Sequence, residues 1–145
     1  MKVQELKSST GKTFLTIHYD EKNQWIHNDW SGYVSPEYVM QGSLAVLDAI
    51  EKYRVACGLN DNRHLVGRWD ESVDWIEQEW IPKATAAGLR HYAHVVDADT
   101  FAAASSEDML TRVQDRFQMR IFRDIDEAKE WLVASHRESS DNSAS

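Results

Sequence analysis

Val55-Ala56-Cys57-Gly58-Leu59 is a short apolar run that continues directly into the polar residues Asn60-Asp61-Asn62-Arg63. An unbroken apolar run of this length is typical of a strand that is covered on both faces, as the strands of parallel sheets are. The polar residues after Leu59 favour a turn or loop. The sequence therefore predicts a central strand over 55–59 and a polar loop over 60–63 at its carboxyl end.

Two runs that precede this strand are expected to form a hairpin. The runs 13–19 and 24–34 are rich in β-branched and aromatic residues, and four polar residues separate them. So short a connection joins only antiparallel neighbours. The register expected for this hairpin pairs Tyr19 with Gln24.

A helix is predicted to begin at Ser35-Pro36-Glu37. The serine hydroxyl can cap free amides, the proline stands where no donor is needed, and the acid lies near the positive end of the helix dipole. Apolar residues at helical spacing extend this helix to Tyr53. Met40, Leu44 and Leu47 widen the stripe that is expected to face the sheet.

The rest of the chain alternates helices and strands. The patterns predict a helix from Asp70 to Gly88 that Pro82 interrupts, a strand over 89–97, a helix over 105–117, a strand over 119–122 and a last helix from a capping box at Asp124. Such alternation after a hairpin predicts an α/β layered domain with a mostly parallel sheet. One domain is expected over 13–134, with a polar segment at 1–12 and a frayed tail at 138–145.

The composition excludes several classes of protein. The 145 residues include 16 Lys and Arg against 24 Asp and Glu, a formal net charge of −8, which disfavours binding to nucleic acid or anionic lipid. Cys57 is the single cysteine, so no internal disulfide forms, and no apolar run reaches the roughly 18 residues of a membrane span. Residues 1–12 show no secretory pattern, and a cytoplasmic location is expected.

Four stretches resemble a known family: Asp61-Asn62-Arg63, Trp75 to Gly88, Ala93 to Val96, and Phe122 to Leu132 with its Glu-Ala-x-x-Trp-Leu. The chain is similar over roughly 13–134 to small bacterial proteins of STAS-like, or SpoIIAA-like, fold. These proteins are often described as STAS/SEC14 domain-containing, and their function is largely undefined. The resemblance implies a five-stranded sheet whose first strand is antiparallel, with about four helices packed against it.

The resemblance also implies a difference from the anti-sigma-factor antagonists of this fold. In those proteins a phosphorylatable serine follows an aspartate just after the central strand. Here the corresponding residues 60–65 contain no hydroxyl, and the next one downstream is Ser72. A serine phospho-switch is therefore not expected, and the similarity to lipid-carrying SEC14 modules is one of fold alone.

The candidate binding residues lie after the central strand, because ligands of open α/β sheets bind outside the carboxyl ends of the strands. Arg63 offers a planar fork for a carboxylate or phosphate, and Asp61 and the neighbouring Asn62 lie beside it. The alternative is structural: Asp61 and Arg63 pair with each other or with local amides and hold the loop in place.

The six tryptophans divide into two groups. Trp80 and Trp131 lie on apolar helical stripes and are expected in the core. Trp69 precedes a helix and Trp75 lies off its apolar stripe, so both are candidates for a pocket mouth or an interface beside Arg63.

Metal and cofactor sites are not predicted. His91 and His94 are an odd number of residues apart on a strand and should point to opposite faces, while His18 and His27 lack a third ligand. No phosphate-binding glycine motif occurs. Cys57 is expected to be an inert buried side chain, and a solvated face is expected for Glu71, Asp74, Glu77 and Glu79.

The leading functional hypothesis is a cytoplasmic, non-enzymatic binding or regulatory module. Its partner is a protein or a small anionic or apolar ligand, bound at the surface formed by Asp61, Asn62, Arg63, Trp69 and Trp75. One alternative is a small hydrolase or isomerase with Asp61 and His64 as an acid–base pair, and another is a homodimeric interaction module. An active site should show a deep cleft with a histidine of shifted pKa, and a binding module a shallow aromatic surface.

Overall fold

In the part of the chain that the computed structural model describes, residues 1–97, 100–113 and 115–144 with side chains as far as Glu138, six strands form one sheet. Strands that are consecutive in the chain are neighbours in the sheet. They are β1 Lys2–Lys7, β2 Thr13–Asp20, β3 Trp25–Tyr33, β4 Cys57–Val66, β5 His91–Val95 and β6 Gln118–Phe122. The pairings β1–β2 and β2–β3 are antiparallel, and those from β3 to β6 are parallel.

Four helical segments connect or follow these strands, and we label them α1 to α4. They are α1 Pro36–Tyr53, α2 from Asp70 to Ala87, α3 Phe101–Val113 and α4 Ile125–Ala144. The α/β class, the hairpin and the order of the elements are confirmed. None of the helices in the described ranges is long and apolar enough to cross a membrane.

The helices cover the sheet from both sides. Helices α1, α2 and α3 pack on one face, which we call the α1 face, and the larger core lies between them and the sheet. Helix α4 packs on the other face, the α4 face, over β4, β5 and β6. A smaller apolar cluster lies there: Trp25, Cys57, Leu59, Ala93, Val95, Ala128 and Leu132.

Helix α1 begins as predicted and buries a narrower stripe than predicted. Ser35 is its N-cap and accepts a hydrogen bond from the Tyr38 amide at 3.2 Å. Leu47 is buried, but Met40 and Leu44 are exposed, so the prediction that these two face the sheet is wrong.

The sheet corrects three expectations at its N-terminal side. The polar segment 1–12 contains strand β1, which pairs with β2 although most of its side chains are exposed, so the sheet has six strands and not five. The hairpin pairs Tyr19 with Ile26 and not with Gln24. The last pair is Asp20 with Trp25, so the turn comprises residues 21–24, four residues as predicted but one position further along, and Gln24 takes a positive φ of 57° within it.

The central strand is in the predicted place but ends later than predicted. Strand β4 runs from Cys57 to Val66, so the prediction of a loop over 60–63 is wrong. Asn60 and Asp61 pair in register with residues of both β3 and β5. Polar side chains are tolerated in this central strand because each finds partners, as described below.

The other differences concern element ends. Strand β5 is shorter than predicted, and α3 lies about four residues before its predicted position, so that Leu110 is exposed and Phe117 is buried beyond the helix. Helix α4 follows Asp124, whose carboxylate accepts from the Asp126 amide, and it continues to Ala144, through most of the predicted tail. Ser145 lies outside the described residues.

Helix α2 changes geometry along its length. It consists of a 3-10 turn at Asp70–Ser72, an α turn at Val73–Trp75, a π segment at Ile76–Trp80 and an α-helix at Ile81–Ala87, which Gly88 ends. Pro82 has no N–H, so the carbonyl four residues before it receives no helical hydrogen bond from this position. The amide of the preceding Ile81 donates to the carbonyl of Ile76, five residues back, which is the π-helical pattern. The predicted interruption at Pro82 is thus a π segment.

Candidate functional site: a buried cavity on the α1 face

A cavity lies between the α1 face of the sheet and helices α1, α2 and α3. About 40 Å³ of it is open to the centres of water-sized molecules, within about 440 Å³ of space between the lining atoms. Apolar side chains form much of its wall: Val34, Val39, Val46, Leu65, Ile76 and Met109. The aromatic side chains of Trp30, Trp69, Trp80 and Tyr92 complete that apolar wall.

The π segment contributes two of these side chains. Ile76 and Trp80, at its two ends, are both buried and both line the cavity. The Trp80 indole donates to the backbone carbonyl of Ser43 on α1 at 2.7 Å. Ser43 is only half-buried, whereas every other lining residue is buried.

A chain of polar side chains crosses the floor of the cavity on β3, β4 and β5. Asn60 Oδ1 accepts from Trp30 Nε1 at 2.9 Å and from the Tyr92 hydroxyl at 3.1 Å. Asn60 Nδ2 donates to Asn62 Oδ1 at 2.9 Å. Asn60 and Asn62 are two residues apart on one strand, so both side chains point to the α1 face.

Ser106 of helix α3 continues this chain of hydrogen bonds between side chains. Asn62 Nδ2 donates to Ser106 Oγ at 3.2 Å, and Ser106 Oγ lies 3.0 Å from Nδ1 of His94. The adjacent Ser105 accepts from the backbone amide of Trp69 at 3.0 Å. Two consecutive serines of α3 thus hold the His94 ring and the Trp69 backbone.

Two nitrogens at the cavity have no hydrogen-bond partner among the described residues. They are Nε1 of Trp69 and Nε2 of His94. Trp69 is 6% exposed and His94 is 1% exposed, and their ring centroids are 6.2 Å apart. Buried polar atoms are nearly always hydrogen-bonded in native proteins, so a pair of exceptions in one cavity requires an explanation.

The electrostatics of the cavity are those of an uncharged site. Burial lowers the pKa of His94 to about 3, so its ring is neutral at physiological pH, and burial raises the pKa of Tyr92. No lining side chain within the described ranges carries a charge at neutral pH. The cavity therefore offers dipoles and apolar contact, but no countercharge for an ion.

Asp61 and Arg63 lie on the opposite, α4 face of the sheet, because they alternate with Asn60 and Asn62 along β4. Asp61 Oδ1 accepts from Nε of Arg63 at 2.9 Å, and Oδ2 accepts from Nη2 at 2.7 Å. Burial alone would raise the pKa of Asp61, but the hydrogen bonds from Arg63 outweigh it and hold the pKa well below its usual range. The structural alternative for this pair, mutual pairing, is what the structure shows.

A bulge in β4 brings His64 to the Asp61 side. Asp29 pairs with Asp61 and Ser31 with His64, so β4 has one residue more than β3 over this interval. Asp29, Asp61 and His64 each place one ligand atom within 4.8 Å of the others. Both oxygens of Asp61 already accept from Arg63, and Asp29 and His64 are partly or fully exposed.

The five predicted binding residues are therefore split over three places. Asn62 and Trp69 line the cavity, and Asp61 and Arg63 form the ion pair on the other face. Trp75 is half-buried against the main core and is not a lining residue. Trp69 was expected at a pocket mouth or an interface beside Arg63, but it is buried, its ring lies near His94 of β5, and its backbone amide donates to Ser105 of α3.

Other predictions about individual residues are confirmed. Trp80 is buried, and Trp131 is half-buried and packs beside the smaller cluster. His94 contacts Ser106 on the α1 face and His91 contacts Trp131 of α4, so the two histidines do lie on opposite faces. Cys57 is buried, and burial raises its pKa to about 11.

Sequence reasoning missed most of the polar chain. Trp30, Asn60, Tyr92, His94 and Ser106 were not predicted as site residues. One signal was available: Asn60 and Asn62 stand two apart, directly after an apolar run, which places both on one face if the strand continues. That reading requires knowing that β4 does not end at Leu59.

Comparisons with known proteins identify the fold and no more. No protein-family model matches the chain, and no curated protein matches it. A solved structure is similar: an uncharacterized protein from the DUF3478 family with a SpoIIAA-like fold, from Shewanella loihica PV-4. The match has a TM-score of 0.57 and 14% identity, and it covers 81% of this chain and 91% of the other. The chain thus has a SpoIIAA-like fold, as its sequence resemblance implied.

Proposed function

We propose that this protein is a binding module that holds a small, uncharged and mostly apolar ligand in the cavity on the α1 face. The observation that carries the proposal is the pair of buried nitrogens, Trp69 Nε1 and His94 Nε2, without partners among the described residues. Leaving a buried donor unsatisfied costs about 1–3 kcal/mol. A ligand that accepts a hydrogen bond from the Trp69 indole removes that cost, because an indole nitrogen only donates.

The walls determine the rest of the ligand class. Aromatic and aliphatic side chains surround the two nitrogens, so the body of the ligand is apolar. A charged ligand is disfavoured because the described lining offers no opposite charge, and an anion is disfavoured further because the chain as a whole carries −8. The space open to the centres of water-sized molecules, about 40 Å³, is smaller than the roughly 150 Å³ of a cavity that holds benzene, so the ligand is small and the wall side chains must move to admit a ring.

The acid–base alternative has less support from the geometry. The Asp61 carboxylate is engaged by Arg63 on both oxygens, and its low pKa makes it a weak base. A histidine of shifted pKa does line the cavity, but the shift of His94 is downward and makes it a poor base at neutral pH. Ser106, which contacts His94, is fully buried and is not a lining residue.

A titration with cyclopentanone tests the proposal. The ketone is added to ¹⁵N-labelled protein, and the indole N–H resonances are followed in ¹H–¹⁵N spectra. We expect saturable shifts for Trp30, Trp69 and Trp80, which line the cavity. We expect no shifts for Trp25 and Trp131, which belong to the opposite face. Shifts that do not saturate, or that appear equally at all six indoles, contradict the proposal.

A blocking variant locates the site. Ser43→Leu extends a side chain at the half-buried position of the wall and removes no side-chain hydrogen bond found in the structure. We expect it to abolish the saturable shifts while the protein stays folded. Gln41→Leu adds the same side chain at an exposed position of α1 and should bind the ketone as the wild type does. Equal binding by both variants would exclude this cavity.

A further inference from the structure

The hydrogen bonds of the polar chain, from Trp30 through Asn60, Asn62 and Ser106 to His94, run in one donor-to-acceptor direction. This direction determines whether the ligand must donate or accept a hydrogen bond. We infer that the Trp30 indole orients the chain so that His94 presents Nε2–H to the cavity, which then has two N–H donors, His94 and Trp69. The ligand is accordingly an uncharged molecule with an acceptor oxygen, such as a ketone, an amide or an ether. This inference rests on the proposed function and adds the chemistry of the ligand.

The direction begins at Trp30. An indole nitrogen donates and never accepts, so the atom of Asn60 that faces it, at 2.9 Å, is the amide oxygen. Asn60 then presents its NH2 group to Asn62. That group only donates, so the oxygen of Asn62 faces it. The orientation of both amides follows from one residue that has no alternative role.

The direction ends at His94. With its oxygen turned to Asn60, Asn62 presents its NH2 group to Ser106 and donates to the hydroxyl oxygen. The Ser106 hydrogen then needs an acceptor, and among its partners in the described chain only Nδ1 of His94 accepts. A neutral imidazole with an accepting Nδ1 carries its proton on Nε2. Nε2 is the nitrogen of this lining residue that is buried and has no partner among the described residues.

The consequence is a site that selects acceptors. The two N–H groups belong to rings whose centroids are 6.2 Å apart, and both residues line a cavity with apolar walls. A hydrocarbon of the right shape would leave both donors unsatisfied, whereas a ligand oxygen with lone pairs can accept from them. A carbonyl oxygen has two lone pairs and can accept from both.

The tautomer of His94 is measurable without any ligand. Long-range ¹H–¹⁵N spectra distinguish a protonated ring nitrogen from an unprotonated one, and we expect protonated Nε2 and unprotonated Nδ1 in the wild type. Ser106→Ala removes the donor to Nδ1 and should produce an observable Nδ1–H population. Ser135→Ala, at a buried serine of α4 on the other face, should leave the tautomer unchanged. A wild-type protein with Nδ1 protonated overturns the inference, even if the variants do not fold.

A matched pair of probes tests the acceptor requirement. Cyclopentanone and methylenecyclopentane have nearly the same shape and differ in C=O against C=CH2. We expect the ketone to bind at least about fivefold more tightly, the equivalent of about one net hydrogen bond. The hydrophobic effect alone predicts the opposite order, because the hydrocarbon is the more apolar molecule.

The outcomes separate the two proposals. Saturable binding of both probes with no preference for the ketone leaves the proposed function standing and overturns the acceptor inference. Binding of neither probe in the cavity overturns the proposed function and the inference together. A preference for the ketone together with protonated Nε2 supports both.

Discussion

Asn60 and Asp61 are neighbours in the chain and belong to different surfaces of the protein. Asn60 connects Trp30, Tyr92 and Asn62 on the α1 face, and Asp61 accepts from Arg63 on the α4 face. The sequence shows both as polar residues after an apolar run and does not distinguish their roles. Only the alternation of a continuing strand separates them.

Asp61→Asn tests the ion pair on the α4 face. The pKa of Asp61 in the folded protein lies below the value of about 3.9 of the unfolded chain. The charged carboxylate therefore stabilises the fold above that pH, and its contribution declines as the pH falls through and below about 4. We expect the substitution to cost about 1–3 kcal/mol at pH 7 and less at pH 3, from urea unfolding at both pH values.

Asp70→Asn is the control for this measurement, since Asp70 forms a more exposed pair with Arg68. Its effect at pH 7 should be clearly smaller than that of Asp61→Asn. An Asp61→Asn variant as stable as the wild type at pH 7, or equally destabilised at both pH values, contradicts the account of this pair.

His94→Gln tests the burial of a neutral imidazole. Because the pKa of His94 is about 3 in the fold and about 6.5 in the unfolded chain, the unfolded state binds the proton first as the pH falls. Stability should then decrease below pH 6.5, and His94 adds at most about 1.4 kcal/mol for each pH unit. The glutamine variant should lose this part of the slope in urea unfolding between pH 7 and pH 5. An unchanged slope would show that His94 titrates normally.

At the scale of elements, local signals located the capped starts of α1 and α4 well, and the start of α3 and the strand ends poorly. Ser35-Pro36 and Asp124 mark helix starts because capping depends on the residues themselves. The end of β4 depends on residues distant in sequence: Trp30, Tyr92 and Ser106 satisfy the polar side chains that suggested a loop. Nothing within 60–63 contains that information.

Gly42→Ala tests the contact between α1 and β3. A Cβ at this position would overlap the six-membered ring of Trp30, which sequence analysis could not foresee. Alanine favours a helix by about 1 kcal/mol over glycine, but the overlap should give a net destabilisation of about 1–3 kcal/mol. Urea unfolding measures it, with Gln41→Ala at the adjacent exposed position as the control. A stabilised Gly42→Ala variant would mean that Trp30 is free to move, and would weaken its assignment as the start of the polar chain.

At the scale of the whole molecule, the order of strands and helices was predictable and the location of the cavity was not. Alternation of elements predicts the α/β architecture, and the parallel strands β3 to β6 follow from it. The strand β1 was missed because an exposed edge strand needs no apolar pattern. The cavity arises from three helices, a π segment and three strands together, so no single segment predicts it.

The two faces of the sheet have different characters. The α4 face carries a small apolar cluster and the Asp61–Arg63 ion pair, and both have a structural role in this layer of the fold. The α1 face carries the larger core and the cavity whose lining includes Trp69 and His94, each with a nitrogen that has no partner among the described residues. We therefore propose the cavity on the α1 face as the binding site.

Intermolecular nuclear Overhauser effects between cyclopentanone and the methyl groups of the protein test this assignment most directly. The account predicts contacts from the bound ketone to the methyl groups of Val39, Val46 and Met109, which line the cavity. Contacts only to Leu59, Val95 and Leu132 of the opposite cluster, or no contacts at all, would contradict it.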